Sequence, residues 1–341
     1  MRHKILFGAL CVTAAFFASC NDEDIVKFPH AVGDEIVFGA RAGFENADNS
    51  SSRTVYSGET YQASGKTFER IDWVAGDKIQ IYCPQANPVK TVNYDIVDNN
   101  KSYSNIKKCE DQDRGLQWGS NDVHTFYAMY PFVDNEYIKM DGTIVNGYIP
   151  FYQEGDIKLK DDCYVVNHDM TYAYMVAKNS AIPTSEDAVN LTFYPIITAL
   201  EITLINPVDN QPINLREVII SAAEDDFMIA GDFRCNLLEW NPGNGYPEKA
   251  NIIDESDFFQ YEAIEIPLLT GINKNRPLTL KGGQSVKFTA FLHHHEKIKD
   301  LVLSITLGDN KTEIKKKLDQ INIEPNTKCI IKGLELNINK K

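Results

Sequence analysis

Along most of the chain apolar and polar residues alternate with a period of two, the spacing of strands with one buried face. Residues 78–83 alternate cleanly and stop at Pro84. Residues 91–97 place Val92, Tyr94 and Ile96 on one face, and the aromatic run 124–130 ends at Pro131. Residues 143–149 and 170–177 follow the same pattern. A shorter run, 34–41, sets Ile36 and Phe38 on one face, with Val37 between them. The second half repeats the texture at 189–193, at Leu200, Leu204 and Ile202 between them, and at 214–221, 261–266, 286–292 and 301–307. Residues 328–339 close it, with Leu334, Leu336 and Ile338 sharing a face. Short runs broken by Gly, Pro, Asn and Asp predict an all-β chain, and no window shows a sustained helical period. Each half holds about six to eight strands, enough for a sandwich that buries both inner faces. The polar, glycine-bearing stretch 111–120 reads as a loop outside the core.

The texture changes near 178–187 to Asn, Ser, Pro, Thr and acidic residues, which places a boundary there. The expected organisation is a leader over 1–19, a tether over 20–33, one sandwich over 34–182 and a second over 183–341. The leader reading rests on Arg2, His3 and Lys4 ahead of an apolar run from Ile5 to Ala18, the form of a secretory signal peptide and too short to span a bilayer comfortably. Ala18 and Ser19 before Cys20 resemble a bacterial lipobox, in which the cysteine thiol takes the lipid.

With 34 Lys and Arg against 48 Asp and Glu, the net charge is −14. No basic stretch tracks a phosphate backbone, which argues against nucleic acid as a partner. Beyond Cys11 and Cys20 the cysteines are Cys83, Cys109, Cys163, Cys235 and Cys329. They are widely spaced, odd in number and without a CxxC pair, so they form no disulfide framework, and at most two bridges. Cys83 and Cys329 sit in apolar alternation and read as small buried hydrophobes.

Catalytic and cofactor signals are absent from the sequence. There is no GxSxG, no HExxH and no glycine-rich phosphate loop, so neither an enzyme nor a cofactor is expected. His293, His294 and His295 are consecutive, and adjacent strand residues point to opposite faces, so they cannot all meet one metal. Asp161–Asp162 and Glu224–Asp226 lack the spacing of a twelve-residue calcium loop. Trp73 reads as core, whereas Trp118 and Trp240 fall in loops and retain interest as a sugar-binding platform.

Several stretches in order resemble the fimbrillin family, the Mfa-like pilus proteins of Bacteroidetes. They are Ile71-Asp72-Trp73-Val74-Ala75-Gly76-Asp77-Lys78-Ile79, then Phe126-Tyr127-Ala128-Met129-Tyr130-Pro131-Phe132, then Tyr148-Ile149-Pro150 with Gln153. The run 189–204 and Gly282-Gly283 before Val286-Lys287-Phe288 complete the set. Asp22, Glu23 and Asp24 behind Cys20 resemble the surface-export signal of lipoproteins of the same phylum. The resemblance implies two transthyretin-like β-sandwiches in tandem, export as an outer-membrane lipoprotein and assembly with other fimbrillin subunits. It also implies maturation by a protease that cuts after arginine and removes the lipidated end with the first strand. A strand from the next subunit then fills the gap. A receptor, glycan or protein, on a host or neighbouring cell would be a further partner.

Physical chemistry gives this scheme its candidate residues. Ile36, Val37 and Phe38 make up the placeholder strand, and burial of Ile36 and Phe38 contributes roughly 3–6 kcal/mol at about 1.5–3 each. The donor candidate is 330–338, with Ile330, Leu334, Leu336 and Ile338. Arg53 follows the small, polar stretch 46–52, where proteases act best, and is the preferred cleavage site. Arg41 lies within the strand pattern and is second. The alternatives are a surface lipoprotein that binds glycan or protein without polymerising, and a pilus anchor that keeps its lipid.

Overall fold

The computed structural model describes residues 30–42, 55–63, 66–99, 101–135, 138–168, 170–184, 187–223, 227–245, 247, 251, 259–293, 297–308, 312–319, 321 and 323–337. Cys20, Arg53, Ile338, His294, His295 and Glu224–Asp226 lie outside them.

The strands of the first half are β1 (Phe38–Ala42), β2 (Val55–Ala63), β3 (Lys66–Asp72), β4 (Lys78–Tyr82), β5 (Thr91–Ile96) and β6 (Tyr103–Lys108). Then come β7 (His124–Tyr130), β8 (Lys139–Asp141), β9 (Ile144–Ile149), β10 (Gly155–Lys160), β11 (Cys163–His168) and β12 (Met175–Ala181). The second half begins with β13 (Val189–Pro195), β14 (Thr198–Ile205), β15 (Ile213–Ala222), β16 (Ala230–Asn236), β17 (Gln260–Tyr261) and β18 (Ala263–Pro267). It ends with β19 (Leu269–Thr270), β20 (Arg276–Leu280), β21 (Ser285–Leu292), β22 (Leu301–Leu307), β23 (Glu313–Leu318) and β24 (Lys328–Glu335). Helical turns among the described residues are 3-10 and include Met170–Tyr172 and Pro242–Asn244.

The period-two pattern is realised as strands with one buried face. On β5, Val92, Tyr94 and Ile96 are buried, and on β14 so are Leu200, Ile202 and Leu204. The run expected at 170–177 starts late, because Met170–Tyr172 form a turn and β12 begins at Met175.

Two hydrophobic clusters organise the chain. The first is enclosed by a barrel whose hydrogen bonds run β1-β13-β12-β7-β4-β5-β6 and back to β1. It is filled by Phe38, Trp73, Ile79, Ile81, Phe126 and Phe193, among others. The second lies between two sheets, β10-β11-β21-β14-β24 and β19-β20-β15-β22-β23. Leu200, Ile202, Leu204 and Phe288 of one sheet face Leu215, Val218, Ile220 and Leu303 of the other across this sandwich core. A smaller sheet, β17-β16-β9-β8, adds Val145, Ile149 and Phe233.

The boundary expected at 183 does not separate these cores. Strand β13 lies beyond it, yet pairs with β1 and β12 and buries Val189, Leu191 and Phe193 in the first cluster. Strands β8, β9 and β11 lie before it, yet Met140, Val145, Ile149 and Val166 belong to the second. Both exchanges join strands far apart in sequence, which the local texture at 178–187 cannot register.

Candidate functional site

Strand β1 is short, five residues, and occupies a slot between two partners. It pairs in parallel with β13, from Phe38↔Val189 to Ala42↔Phe193, and antiparallel with β6, from Gly39↔Asn105 to Arg41↔Tyr103. A strand that is to be shed would leave most easily from a sheet edge, but β1 is internal, because its second edge is taken by β6 and closes the barrel.

The residues leading into it form a strap. Gly33 N donates to Trp118 O, Trp118 N to Asp34 O and Ile36 N to Leu116 O, at 2.8–3.0 Å. Leu116 and Trp118 are therefore buried, at 0% and 2% exposure, and the stretch 111–120 contributes to the core after all. Its polar composition conceals this, since the cover comes from residues 33–36, some eighty positions away. Leu116 N also donates to the Tyr94 hydroxyl at 2.8 Å. Burial pushes that phenol above its ordinary range, so it stays neutral.

The side chains of the slot alternate as the strand pleat requires. Ile36, Phe38, Ala40 and Ala42 point inward and are buried, whereas Val37 is 63% exposed. Of the three placeholder residues, only Ile36 and Phe38 fill the core. The Phe38 ring meets Tyr94 at 5.3 Å and Phe126 at 5.2 Å, both edge to face, a geometry worth about 0.5–1.5 kcal/mol per pair beyond area. Trp73 donates its indole N–H to Ala40 O at 3.1 Å and stands edge-on to Tyr130 and Phe193. Trp73 is thus core, as its sequence position indicates, and it grips β1 directly. The Arg41 guanidinium lies over the Tyr103 ring, 5.7 Å from its centroid. Its backbone is bonded within the barrel, so cleavage there demands unzipping. Arg53 stands two positions before β2, and one connection, 43–54, links β1 to the next strand.

The C-terminal candidate is β24, the outer strand of its sheet among the described residues, parallel to β14. Leu334 and Leu336 share the inward face, as expected, but Ile330 does not join them. Cys329 and Ile331 pair with Leu200 and Ile202, and Leu334 pairs with Leu204. Cys329, Ile331 and Leu334 are half-buried against the core, and Leu336 is fully buried. Ile330 is 42% exposed and faces out. The cause is a bulge between Ile331 and Leu334, where Gly333 adopts φ 74° and one extra residue shifts the inward set.

Other candidate chemistry dissolves on inspection. Trp118 and Trp240 are 2% and 3% exposed, so no tryptophan platform faces solvent at any of the three positions. The Trp240 indole donates to Gly245 O at 2.9 Å and its ring meets Tyr194 edge-on. His293 is buried and stacks on Phe233 at 4.8 Å. Asp161 and Asp162 are exposed at the turn between β10 and β11. Among the described residues no three His, Cys, Asp or Glu side chains are grouped to hold a metal. The five cysteines are all free thiols, with Cys83 buried and Cys329 half-buried.

No protein-family model matches the chain, and no curated protein matches it. Solved structures superpose on it over most of its length at low scores. A candidate cell adhesion protein from Bacteroides ovatus superposes with a TM-score of 0.47 at 10% identity, covering 86% of this chain and 90% of that one. One from Bacteroides uniformis gives 0.47 at 14%, covering 87% and 90%. A shaft pilin from Lactobacillus rhamnosus gives 0.28 at 8%, covering 91% and 100%. At such values likeness decides nothing about this chain's role; its own strands must.

Proposed function

We propose that this chain is a structural and adhesive pilus subunit of the cell surface. In this reading it is exported as a lipoprotein on Cys20 and matured by cleavage after Arg53. It polymerises when the first strand gives way to the C-terminal strand of another copy. The observation that supports this is the slot of β1. A five-residue strand completes the first core, is bonded on both flanks and reaches the next strand through the single connection 43–54. Once that connection is cut, the strand is retained by its two ladders, by the strap at 33–36, by the Trp73 indole and by side-chain burial, all of them non-covalent. Its absence would expose two strand edges and an aromatic pocket, the arrangement that an extended donor restores. The place of β24 at the outside of its sheet among the described residues and the apolar side chains of 329–336 suit a donor.

The internal position sets a demand. Withdrawal of β1 gives up roughly 3–6 kcal/mol of side-chain burial for Ile36 and Phe38, besides two ladders. Cleavage alone does not empty the slot, so the donor must displace the strand in step. The grip of Trp73 on Ala40 supports a second reading, in which β1 stays and the chain serves as a monomeric surface protein or a lipid-retaining anchor.

Limited trypsin digestion separates the two. A core beginning at Thr54 that forms laddered oligomers on unboiled gels is the expected result. A nicked protein that keeps its first strand and stays monomeric at high concentration overturns polymerisation by exchange.

A further inference from the structure

Strands β12 and β13 are neighbours in the barrel, yet they are bonded at only two positions, Met175↔Pro195 and Val176↔Tyr194. Beyond these, β12 remains paired with β7 as far as Ala181↔His124, and β13 remains paired with β1 as far as Val189↔Phe38. The two facing edges therefore diverge while each stays bonded to its outer partner. Between them runs a groove of about 660 Å3, lined by Val123, Ala181, Ile182, Asp187, Ala188 and Asn190 among others.

One side chain crosses the gap. The Asn179 amide Nδ2 donates to Asn190 O at 2.7 Å, and Asn179 Oδ1 accepts from Ser180 N at 2.8 Å. Extending the β12–β13 register sets Ser180 opposite Asn190, so in a closed ladder Ser180 N–H would face Asn190 O directly. A carboxamide carries the same donor and acceptor as a peptide group. The Asn179 side chain thus sits between the two groups as a spacer and satisfies both.

We propose that Asn179 is the latch of the first barrel. Its carboxamide replaces the missing rung between Ser180 and Asn190, and its release frees β13, which carries β1 on its other edge, to swing from β12. The wall that opens to let β1 pass is β13, because its backbone ladder to β12 is confined to one end, two rungs and the adjoining bond from Ile196 N to Tyr174 O, and the Asn179 side chain bridges the gap beyond it. The use of the latch in strand exchange rests on the function proposed above; the latch itself does not.

The test uses the full chain with a specific protease site placed in 46–52, before and after cleavage. Hydrogen exchange is read at 177–181 and 189–193, and uptake of a labelled peptide spanning 34–42 is timed on the cleaved protein. Asn179→Ala removes both bonds, while Asn179→Asp keeps the size and the acceptor but cannot donate to Asn190 at neutral pH. Both variants are expected to speed exchange at these amides and peptide uptake by roughly tenfold, the effect of losing one or two modest hydrogen bonds. Ser180→Ala is the control, since its hydroxyl bonds Thr125 across the opposite, β7 side, and it should change neither rate. Unchanged amide exchange at 189–193 in both Asn179 variants, with native circular dichroism, overturns the latch. Faster amide exchange with no peptide uptake in any form upholds the latch and overturns strand exchange.

Discussion

Gln153 shows how single side chains hold the sheets to one another. It is wholly buried, donates to Phe291 O at 2.8 Å and accepts from Phe291 N at 2.9 Å. It so completes the backbone of β21 where no strand does. Gln80, Asn206 and Asn326 do comparable work in buried sites. Each such group is costly to bury without partners, so the bonds it makes favour one arrangement of the strands; Asn206 still keeps one buried atom, Oδ1, without a partner. His124 is a more conditional member of this set. Its Nε2 accepts from Gly119 N at 2.8 Å, which leaves the proton of a neutral ring on Nδ1, and Trp118 lies edge-on at 4.9 Å. Burial pushes the imidazole pKa below its ordinary range. The unfolded chain then binds a proton at a pH where the folded one does not, so stability rises with pH across that window and falls below about 6.5. Protonation also removes the acceptor for Gly119. The urea midpoint is expected to drop between pH 7.5 and 5.5, and His124→Gln should flatten that slope. An equal slope in both proteins would assign the acid sensitivity elsewhere.

At the scale of elements, period-two patterning is enough to find strands but not their neighbours or their irregularities. The alternation at 78–83, 91–97 and 124–130 yields β4, β5 and β7 almost residue for residue; β5 turns one face to the first core, whereas β7 lies between the two, with Phe126, Ala128 and Tyr130 in the first cluster and Tyr127 and Met129 in the second. Strand β24 has the same signal, and Leu334 and Leu336 do face inward, but Ile330 of the same donor set faces out. Even-numbered residues from Ile330 onward share a face only if the strand is regular, and the bulge at Gly333 breaks that parity. A glycine within a strand pattern is the cue that was available. Its effect is open to measurement. Gly333 has φ 74°, and an added Cβ meets nothing within 4 Å, so a substitution is charged to backbone strain alone. Gly333→Ala should cost about 1 kcal/mol, and Gly333→Asn, which tolerates the left-handed region, clearly less. Equal urea midpoints for all three proteins would mean that the bulge relaxes without cost. For β1 the difficulty is of another kind. Its five inward and outward positions are legible, but its enclosure depends on β13, some 150 positions along the chain, and no local pattern carries that.

Across the whole molecule, the two cores are interleaved by the chain itself. Strand β13 closes the first barrel, and two residues later β14 forms a central strand of the second core's sheet. The residues between, Ile196 and Ile197, are buried, and Ile196 N donates to Tyr174 O at 3.0 Å. In the opposite direction, β9 pairs with β16 over six positions, and β11 pairs with β21 in parallel from Cys163↔Ser285 to Val165↔Lys287. Lys178 on β12 adds a polar tie, with its ammonium donating to Leu238 O and Trp240 O at 2.6 and 2.7 Å. A fragment beginning at residue 183 would therefore lose β9 from the edge of β16 and β11 from the edge of β21. It would also carry β13 with Leu191 and Phe193 stripped of their core. Exposed edges and apolar faces of that kind drive association between chains. The fragment 183–341 is expected to aggregate or to unfold without a sigmoidal urea transition, while the full chain unfolds cooperatively. A soluble fragment with a sharp transition and native near-ultraviolet circular dichroism would show that the second core stands without the strands the first half lends it. Under the proposed exchange the same interleaving bears on assembly, since a pull on a donor strand seated in the β1 slot would reach β14 through β13 and two buried isoleucines, and so pass through both cores.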